Sequence, residues 1–102
     1  MNKNSKKEYE LLNDSGIKHA NKGELNKAEH CFLKAINLNS NEYKAYINLS
    51  NIYVLKKQKK NCTELLIDYL LKNKFNEYIA NHAGNLFYNF EYDNELKRLF
   101  EI

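Results

Sequence analysis

The residues that most often carry chemistry are few in this sequence, and their spacing does not assemble a reactive site. His30 and Cys31 are adjacent, so on a helix their side chains point about 100° apart. His19 and His82 belong to different segments, and no histidines or cysteines have the spacing of a zinc site. No phosphate-binding glycine loop and no nucleophile motif occurs either. We therefore expect no enzymatic activity, no cofactor and no metal.

The densest run of charge is basic and consists of Lys56, Lys57, Lys59 and Lys60. Such a run can bind phosphate or an acidic partner, but it is more commonly a solvated loop. Arg98 is the only arginine, and no aromatic residues are interleaved with the lysines. We therefore expect no nucleic-acid partner.

The composition favours a small helical protein. The 102 residues include no proline and only three glycines, and the net charge is +3, which disfavours turn-rich β folds. No apolar stretch approaches the length that spans a membrane, and we expect no secretory signal in residues 1–7. Two cysteines without framework spacing are typical of a reducing compartment. The expected location is the cytoplasm, without membrane association.

A period of 34 residues organises the chain, because a small residue recurs at Gly16, Ser50 and Gly84. Other slots repeat with the same period: Leu12, Tyr46 and Ala80; His19, Tyr53 and Phe87; Ala28, Cys62 and Leu96; Phe32, Leu66 and Phe100. The offsets of three and four between slots are those of one helix face. This period predicts stacked helical hairpins, which usually form binding surfaces.

The apolar pattern and the candidate caps predict six helices. They are expected at residues 5–21, 25–38, 42–56, 61–72, 77–89 and, as a short last helix, after Asp93. Ser5 and Glu8 resemble a capping box for the first helix. Gly23 is available to end that helix in a left-handed conformation, and residues 39–41 supply side-chain caps for the third helix.

The first unit carries the signature of a known repeat. The signature slots are filled by Leu12, Gly16, Gly23, Ala28, Phe32, Ala35 and Leu38. The chain thus resembles the tetratricopeptide repeat family over nearly its whole length, from about Tyr9 onward. The resemblance implies an all-α protein: a right-handed superhelix of three helical hairpins, or α-solenoid, with the third repeat truncated. Its parts would be a frayed N-terminus at 1–8 and repeats at 9–42, 43–76 and 77–102.

The resemblance also implies packing roles. Gly16 and Ala28 would lie where the paired helices touch, and Phe32 would fill the space between neighbouring hairpins. Cys62 occupies the slot of a small buried residue and is expected in the core. Lys57 departs from the family pattern, because it stands where the loop glycine is usual.

In the family, the first helix of each hairpin lines a concave groove, which identifies candidate ligand contacts. They are Asn13, Ile17, Lys44, Ile47, Asn48, Asn51, Val54, Tyr78, Asn81, His82, Asn85 and Tyr88. The same helices also display Glu10, Leu55 and Asn89. Asparagine offers a donor and an acceptor to a peptide backbone, and tyrosine adds apolar area with a polar tip. The alternative is that these residues form solvated faces in an Asn-rich chain.

Some members of the family use a cationic clamp to bind the acidic C-terminal tail of chaperones. The slots of that clamp are filled here by Asn13, Ile17, Asn48, Tyr78 and His82, of which only Asn48 matches. Without lysine or arginine, the carboxylates of such a tail would be desolvated and unpaired. We therefore expect a different partner segment.

The third unit stops short of the full period, which leaves Leu96, Leu99 and Phe100 as a candidate open surface. Three outcomes remain: a second copy covers these residues, the natural protein continues, or the short last helix closes over the second repeat. The expected function is a protein or peptide interaction scaffold. The alternative is a docking or self-association module of a larger protein, including a homodimer, acting through this C-terminal helix.

Overall fold

The protein is all-helical over the residues that its computed structural model describes, which are 3–73 and 76–90, with side chains at 6–73 and 76–86. Five helices occupy these ranges: α1 Lys3–Asn21, α2 Leu25–Leu38, α3 Tyr43–Leu55, α4 Lys59–Lys72 and α5 Glu77–Phe90. The prediction of an all-α protein is confirmed. The predicted last helix, with Leu96, Leu99 and Phe100, lies outside the described residues. None of the helices described here is long and apolar enough to cross a membrane.

The helix boundaries follow the prediction at both ends of α2, at the ends of α1 and α4 and at the start of α5, and differ elsewhere. α1 begins at Lys3, two residues before the predicted start of the first helix, so residues 3–8 of the segment assigned to a frayed N-terminus are helical. Ser5 consequently lies inside α1 rather than at its N-cap. The lysines and Glu8 in this stretch favour helix, and no glycine or proline interrupts it. α4 likewise begins at Lys59, two residues earlier than predicted.

The start of α3 is capped differently from the prediction. Its N-cap residue, Glu42, makes no side-chain capping bond. Asn39 instead accepts a hydrogen bond from the N–H of Asn41 at 3.3 Å, which stabilises a turn in the connection. A buried N–H in the first turn of α3, that of Ala45, donates to the phenol oxygen of Tyr9 at 3.0 Å. The capping partner of α3 therefore comes from α1, outside the local sequence.

The first hairpin turns at Gly23, which has φ of +78°. The N–H of Gly23 donates to the carbonyl of Ala20 at 3.0 Å, and that of Glu24 donates to the carbonyl of His19 at 2.9 Å. This pair of bonds is the Schellman motif, so the predicted left-handed end of α1 is confirmed. Lys57, in the loop-glycine slot of the second unit, also has a positive φ, of 59°.

Helix α3 is the centre of the packing, because it contacts each of the other four described helices. The short connections pair α1 with α2 and α3 with α4 as helical hairpins. α2 packs against α3 between the hairpins, and α5 packs against both α3 and α4. One row of contacts therefore runs from α1 through α3 to α5.

Close approach of α1 and α2 depends on Gly16. A Cβ atom at this position would lie 2.7 Å from Cζ of Phe32, far inside van der Waals contact. Phe32 is buried together with Ala28 from its own helix and with Leu49 and Ile52 from α3. It therefore fills the space between the two hairpins, as expected.

A second core cluster joins α3, α4 and α5. Its buried members are Tyr46, Cys62, Leu66, Tyr69, Ile79, Ala83 and Leu86. The expectation that Cys62 is a core residue is confirmed, since its side chain is fully buried. The cluster fixes the position of α5 beside α3.

Candidate functional site

The predicted groove residues lie on α1, α3 and α5 and differ in their exposure; we call their surface the groove face. The exposed members are Ile17, Lys44, Asn51, Tyr78, Asn81 and Asn85. The half-buried members are Ile47, Asn48, Val54 and His82, and the buried member is Asn13. Tyr88 belongs to α5, but its side chain lies outside the described set. Since α3 contacts both α1 and α5, these residues follow one row of adjacent helices.

Asn13 and Asn48 pair with each other across α1 and α3. The Nδ2 atom of Asn48 donates to Oδ1 of Asn13 at 3.0 Å. Each side chain keeps part of its hydrogen-bonding capacity, because Nδ2 of Asn13 still has two hydrogens and Oδ1 of Asn48 still has two lone pairs. The pair therefore offers a donor and an acceptor side by side, the combination that a peptide backbone requires.

Ser50 and His82 form the corresponding link between α3 and α5. Oγ of Ser50 lies 2.7 Å from the carbonyl oxygen of Ile47 and 2.6 Å from Nε2 of His82. If the hydroxyl donates to Ile47, its oxygen accepts from the Nε2–H of His82. Burial lowers the pKa of His82 below its ordinary value, which favours the neutral ring at pH 7. Ser50 is fully buried, so this contact fixes helices and is inaccessible to an acyl substrate.

The apolar members of the groove face are partly used in internal packing. Ile47 and Val54 are half-buried and pack against the core cluster of α3, α4 and α5. Tyr78 stacks on Tyr43 with ring centroids 5.0 Å apart and an interplanar angle of 6°. The residue Tyr78 is still 56% exposed, so Tyr78 and Ile17 are the apolar members of the groove face that remain open to a ligand.

A cleft of about 270 Å³ adjoins the Asn13 end of the groove face; we call it the α1–α3 cleft. It is lined by Lys6, Tyr9, Glu10, Asn13, Asp14, Asn39, Glu42 and Lys44. The predicted groove had few charges, but five of these eight side chains are charged. Five of the lining residues were not predicted from the sequence, because only the approach of α1 to the start of α3 brings them together: Lys6, Tyr9, Asp14, Asn39 and Glu42. No local sequence signal could have identified them.

Tyr9 occupies the wall of this cleft and is buried. Its oxygen accepts the hydrogen bond from Ala45 that caps α3. Burial is the main cause that raises the pKa of Tyr9 to about 12, so the phenol keeps its proton at neutral pH. Tyr9 therefore has two roles, because it caps α3 and also forms part of the cleft wall.

The lysine run at the second hairpin turn is partly engaged in internal contacts. Nζ of Lys56 lies 2.8 Å from Oε1 of Glu29 and 2.8 Å from Oδ1 of Asn26, both on α2. Nζ of Lys60 lies 3.9 Å from Glu64, a weaker surface pair. Lys56 thus links the hairpins and is not free to bind an anion.

The histidines and cysteines of the described ranges do not come together as a ligand cluster. Nδ1 of His19 pairs with Glu24 at 3.1 Å at the first hairpin turn, and His30 is exposed on α2. In the part of the chain that the structure describes, no group of three or more metal-ligating side chains comes together. Neither Cys31 nor Cys62 forms a disulfide bond with another described residue.

No protein-family model, no curated protein and no solved structure matches the chain. The resemblance to the tetratricopeptide repeat family therefore stays a prediction that rests on the residues of this chain.

Proposed function

We propose that the chain is a non-enzymatic protein-interaction scaffold that binds an extended segment of a partner protein. In this proposal, the hairpins stack as tetratricopeptide-type repeats in a right-handed superhelix, and α1, α3 and α5 form its concave face. The row of contacts from α1 through α3 to α5 supports this arrangement. Two cysteines that form no disulfide with a described residue suit a protein of the reducing cytoplasm.

The observation that carries the proposal is the Asn13–Asn48 pair. It fixes two amides on neighbouring helices at 3.0 Å, so their remaining donor and acceptor are ordered before a ligand arrives. Preorganised polar groups bind more tightly, because less side-chain entropy is lost on association. One peptide unit presents the complementary carbonyl and N–H, whatever its side chain.

Exposed amides continue from this pair along the row. Asn51 lies three positions after Asn48 on α3, and Asn81 and Asn85 lie one turn apart on α5. Residues three and four apart share a helix face, so these amides extend the polar track of the pair. Ile17 and Tyr78 supply apolar area beside it. A ligand of this surface would be held mainly through its backbone.

The test begins with random peptides displayed on phage and selected on the wild-type chain. Calorimetry then compares one selected peptide with wild type and with the double variant Asn51→Ala, Asn85→Ala. Loss of two neutral hydrogen bonds, at about 1 kcal/mol each, predicts an affinity about 30-fold weaker.

The matched control is Asn37→Ala, which removes an exposed amide from α2, outside the groove face. This variant should bind the selected peptide with the same affinity as wild type. The proposal would be contradicted if the double variant and Asn37→Ala lost the same affinity for the peptide, or if the double variant kept the wild-type affinity. It would also be contradicted if no peptide were enriched in the selection.

A further inference from the structure

The α1–α3 cleft contains more negative than positive side chains, and its charges do not pair with each other. Its carboxylates are Glu10, Asp14 and Glu42, and its lysines are Lys6 and Lys44. Among the described residues none of these five takes part in an ion pair, and Glu42 makes no capping bond. The carboxylates of the cleft thus remain available to an external cation.

Acidic side chains on several other surfaces of the molecule are already paired. The shortest such contacts are Glu29–Lys56 at 2.8 Å, Glu24–Lys27 at 3.1 Å and Asp68–Lys72 at 3.1 Å. The α1–α3 cleft differs from these surfaces because its three carboxylates are unpaired.

Two buried polar side chains also keep unused donors at the cleft. Asn13 is 8% exposed, and its Nδ2 has no hydrogen-bond partner within the described ranges. The only buried side-chain atom without a partner there is Oγ1 of Thr63, so Nδ2 of Asn13 must reach open space. Tyr9 is 4% exposed and accepts from Ala45, but its own hydrogen has no described acceptor. Both residues line the cleft, so an acceptor that enters it meets oriented donors.

The size of the cleft suits one long side chain. At about 30 Å³ per water molecule, a volume of 270 Å³ corresponds to roughly nine waters. An apolar occupant would desolvate the charges without pairing them, and an acidic occupant would face three carboxylates against two lysines. A cation satisfies the carboxylates, and a carbonyl of the same segment satisfies the donors.

We propose that the α1–α3 cleft binds a lysine or arginine side chain of the partner segment. Its charged group pairs with Glu10, Asp14 and Glu42, while a backbone carbonyl of the segment accepts from Nδ2 of Asn13. This inference rests on the proposed function, to which it adds a basic residue as the specificity determinant. Asn13 belongs to both the cleft and the groove face, so one extended segment can occupy the two surfaces together.

The experiment uses the peptides selected on the wild-type chain. They should be enriched in lysine or arginine at one position, and the tightest of them is made again with glutamine there. Both peptides are titrated into wild type and into the double variant Glu10→Gln, Asp14→Asn. The basic peptide should bind the variant about tenfold more weakly, whereas the glutamine peptide should bind both proteins equally.

The control variant is Glu8→Gln, Glu77→Gln, which removes the same two charges from exposed positions outside the cleft. It should bind the basic peptide as wild type does, which excludes a general effect of net charge. A fall in affinity of similar size in this control would overturn the inference.

The outcomes also separate the two proposals. The inference is overturned if the selected peptides are not enriched in lysine or arginine, or if the basic peptide binds Glu10→Gln, Asp14→Asn as tightly as wild type. The proposed function stands in that case, provided that peptide binding still depends on Asn51 and Asn85. If the selected peptide binds Asn51→Ala, Asn85→Ala as tightly as wild type, the proposed function is contradicted, and the inference that rests on it is overturned as well.

Discussion

Lys57 lies 34 positions after Gly23 and adopts the same left-handed backbone conformation, with φ of 59° against 78°. In both turns the following residue donates its N–H to the carbonyl five positions back, at 2.9 Å after Gly23 and at 2.8 Å after Lys57. In the two described hairpins, the first helix therefore ends with the same C-terminal capping motif. Only the first hairpin uses glycine, the residue that adopts this conformation without steric cost.

Substitution of Lys57 by glycine should stabilise the protein. The left-handed conformation costs a side chain about 1–2 kcal/mol, and glycine removes that cost at some loss of unfolded-state entropy, so we expect a net gain of about 1 kcal/mol. Gly23→Ala is the reciprocal variant and should lose about 1 kcal/mol. Urea denaturation measures both changes. A loss of stability in Lys57→Gly would contradict the assignment of the turn.

The two helical glycines should respond in opposite directions to alanine. Gly16→Ala places a methyl group against the ring of Phe32, and such overpacking costs about 1–3 kcal/mol. Gly84→Ala meets no described atom within 4 Å and should gain up to about 1 kcal/mol from helix propensity. Thermal unfolding of the two variants measures the contrast. Equal effects would show that Gly16 does not mark a close helix contact.

Removal of the Tyr9 hydroxyl should weaken the start of α3. Tyr9→Phe leaves the N–H of Ala45 without its acceptor, and an unsatisfied buried donor costs about 1–3 kcal/mol. Tyr46→Phe is the control, since Tyr46 is equally buried but its hydroxyl makes no described hydrogen bond. Amide hydrogen exchange in α3 should accelerate only in Tyr9→Phe. Slow exchange in both variants would contradict capping from α1.

Acid should destabilise the protein through His82. Burial lowers its pKa in the folded state, so the unfolded chain, with an ordinary pKa of about 6.5, binds the proton more readily. The free energy of unfolding therefore decreases as the pH falls through about 6.5. His82→Gln lacks this titration and serves as the reference in denaturation curves at several pH values. Parallel pH profiles for wild type and variant would exclude the effect.

The sequence predicted the features of the fold that depend on neighbouring residues. The bounds of α2 and the left-handed end of α1 at Gly23 follow from local apolar spacing and from the conformational freedom of glycine. The close approach of α1 and α2 at Gly16 followed from the repeat signature, although Phe32 was not predicted to be the residue that Gly16 contacts. The cap of α3 was missed, because Tyr9 lies far from Ala45 in the sequence and capping signals were sought locally.

The site was predictable only as a set of helix faces. The period placed Asn13 and Asn48 on α1 and α3, but it did not show that these two amides bind each other. Nor did it show the α1–α3 cleft, whose charged lining depends on the distance between two helices. Such contacts come from tertiary packing, which a repeat period does not specify.

The most direct test of the central claim is an NMR titration that follows the side-chain amides of the asparagines while a selected peptide is added. We expect large chemical-shift changes at Asn13, Asn48, Asn51 and Asn85, and none at Asn37 on α2. The shifted asparagines should form a continuous track along α1, α3 and α5, as expected for one extended peptide that crosses the three helices. Shifts confined to α2 and α4, with the groove-face amides unchanged at saturation, would contradict the account.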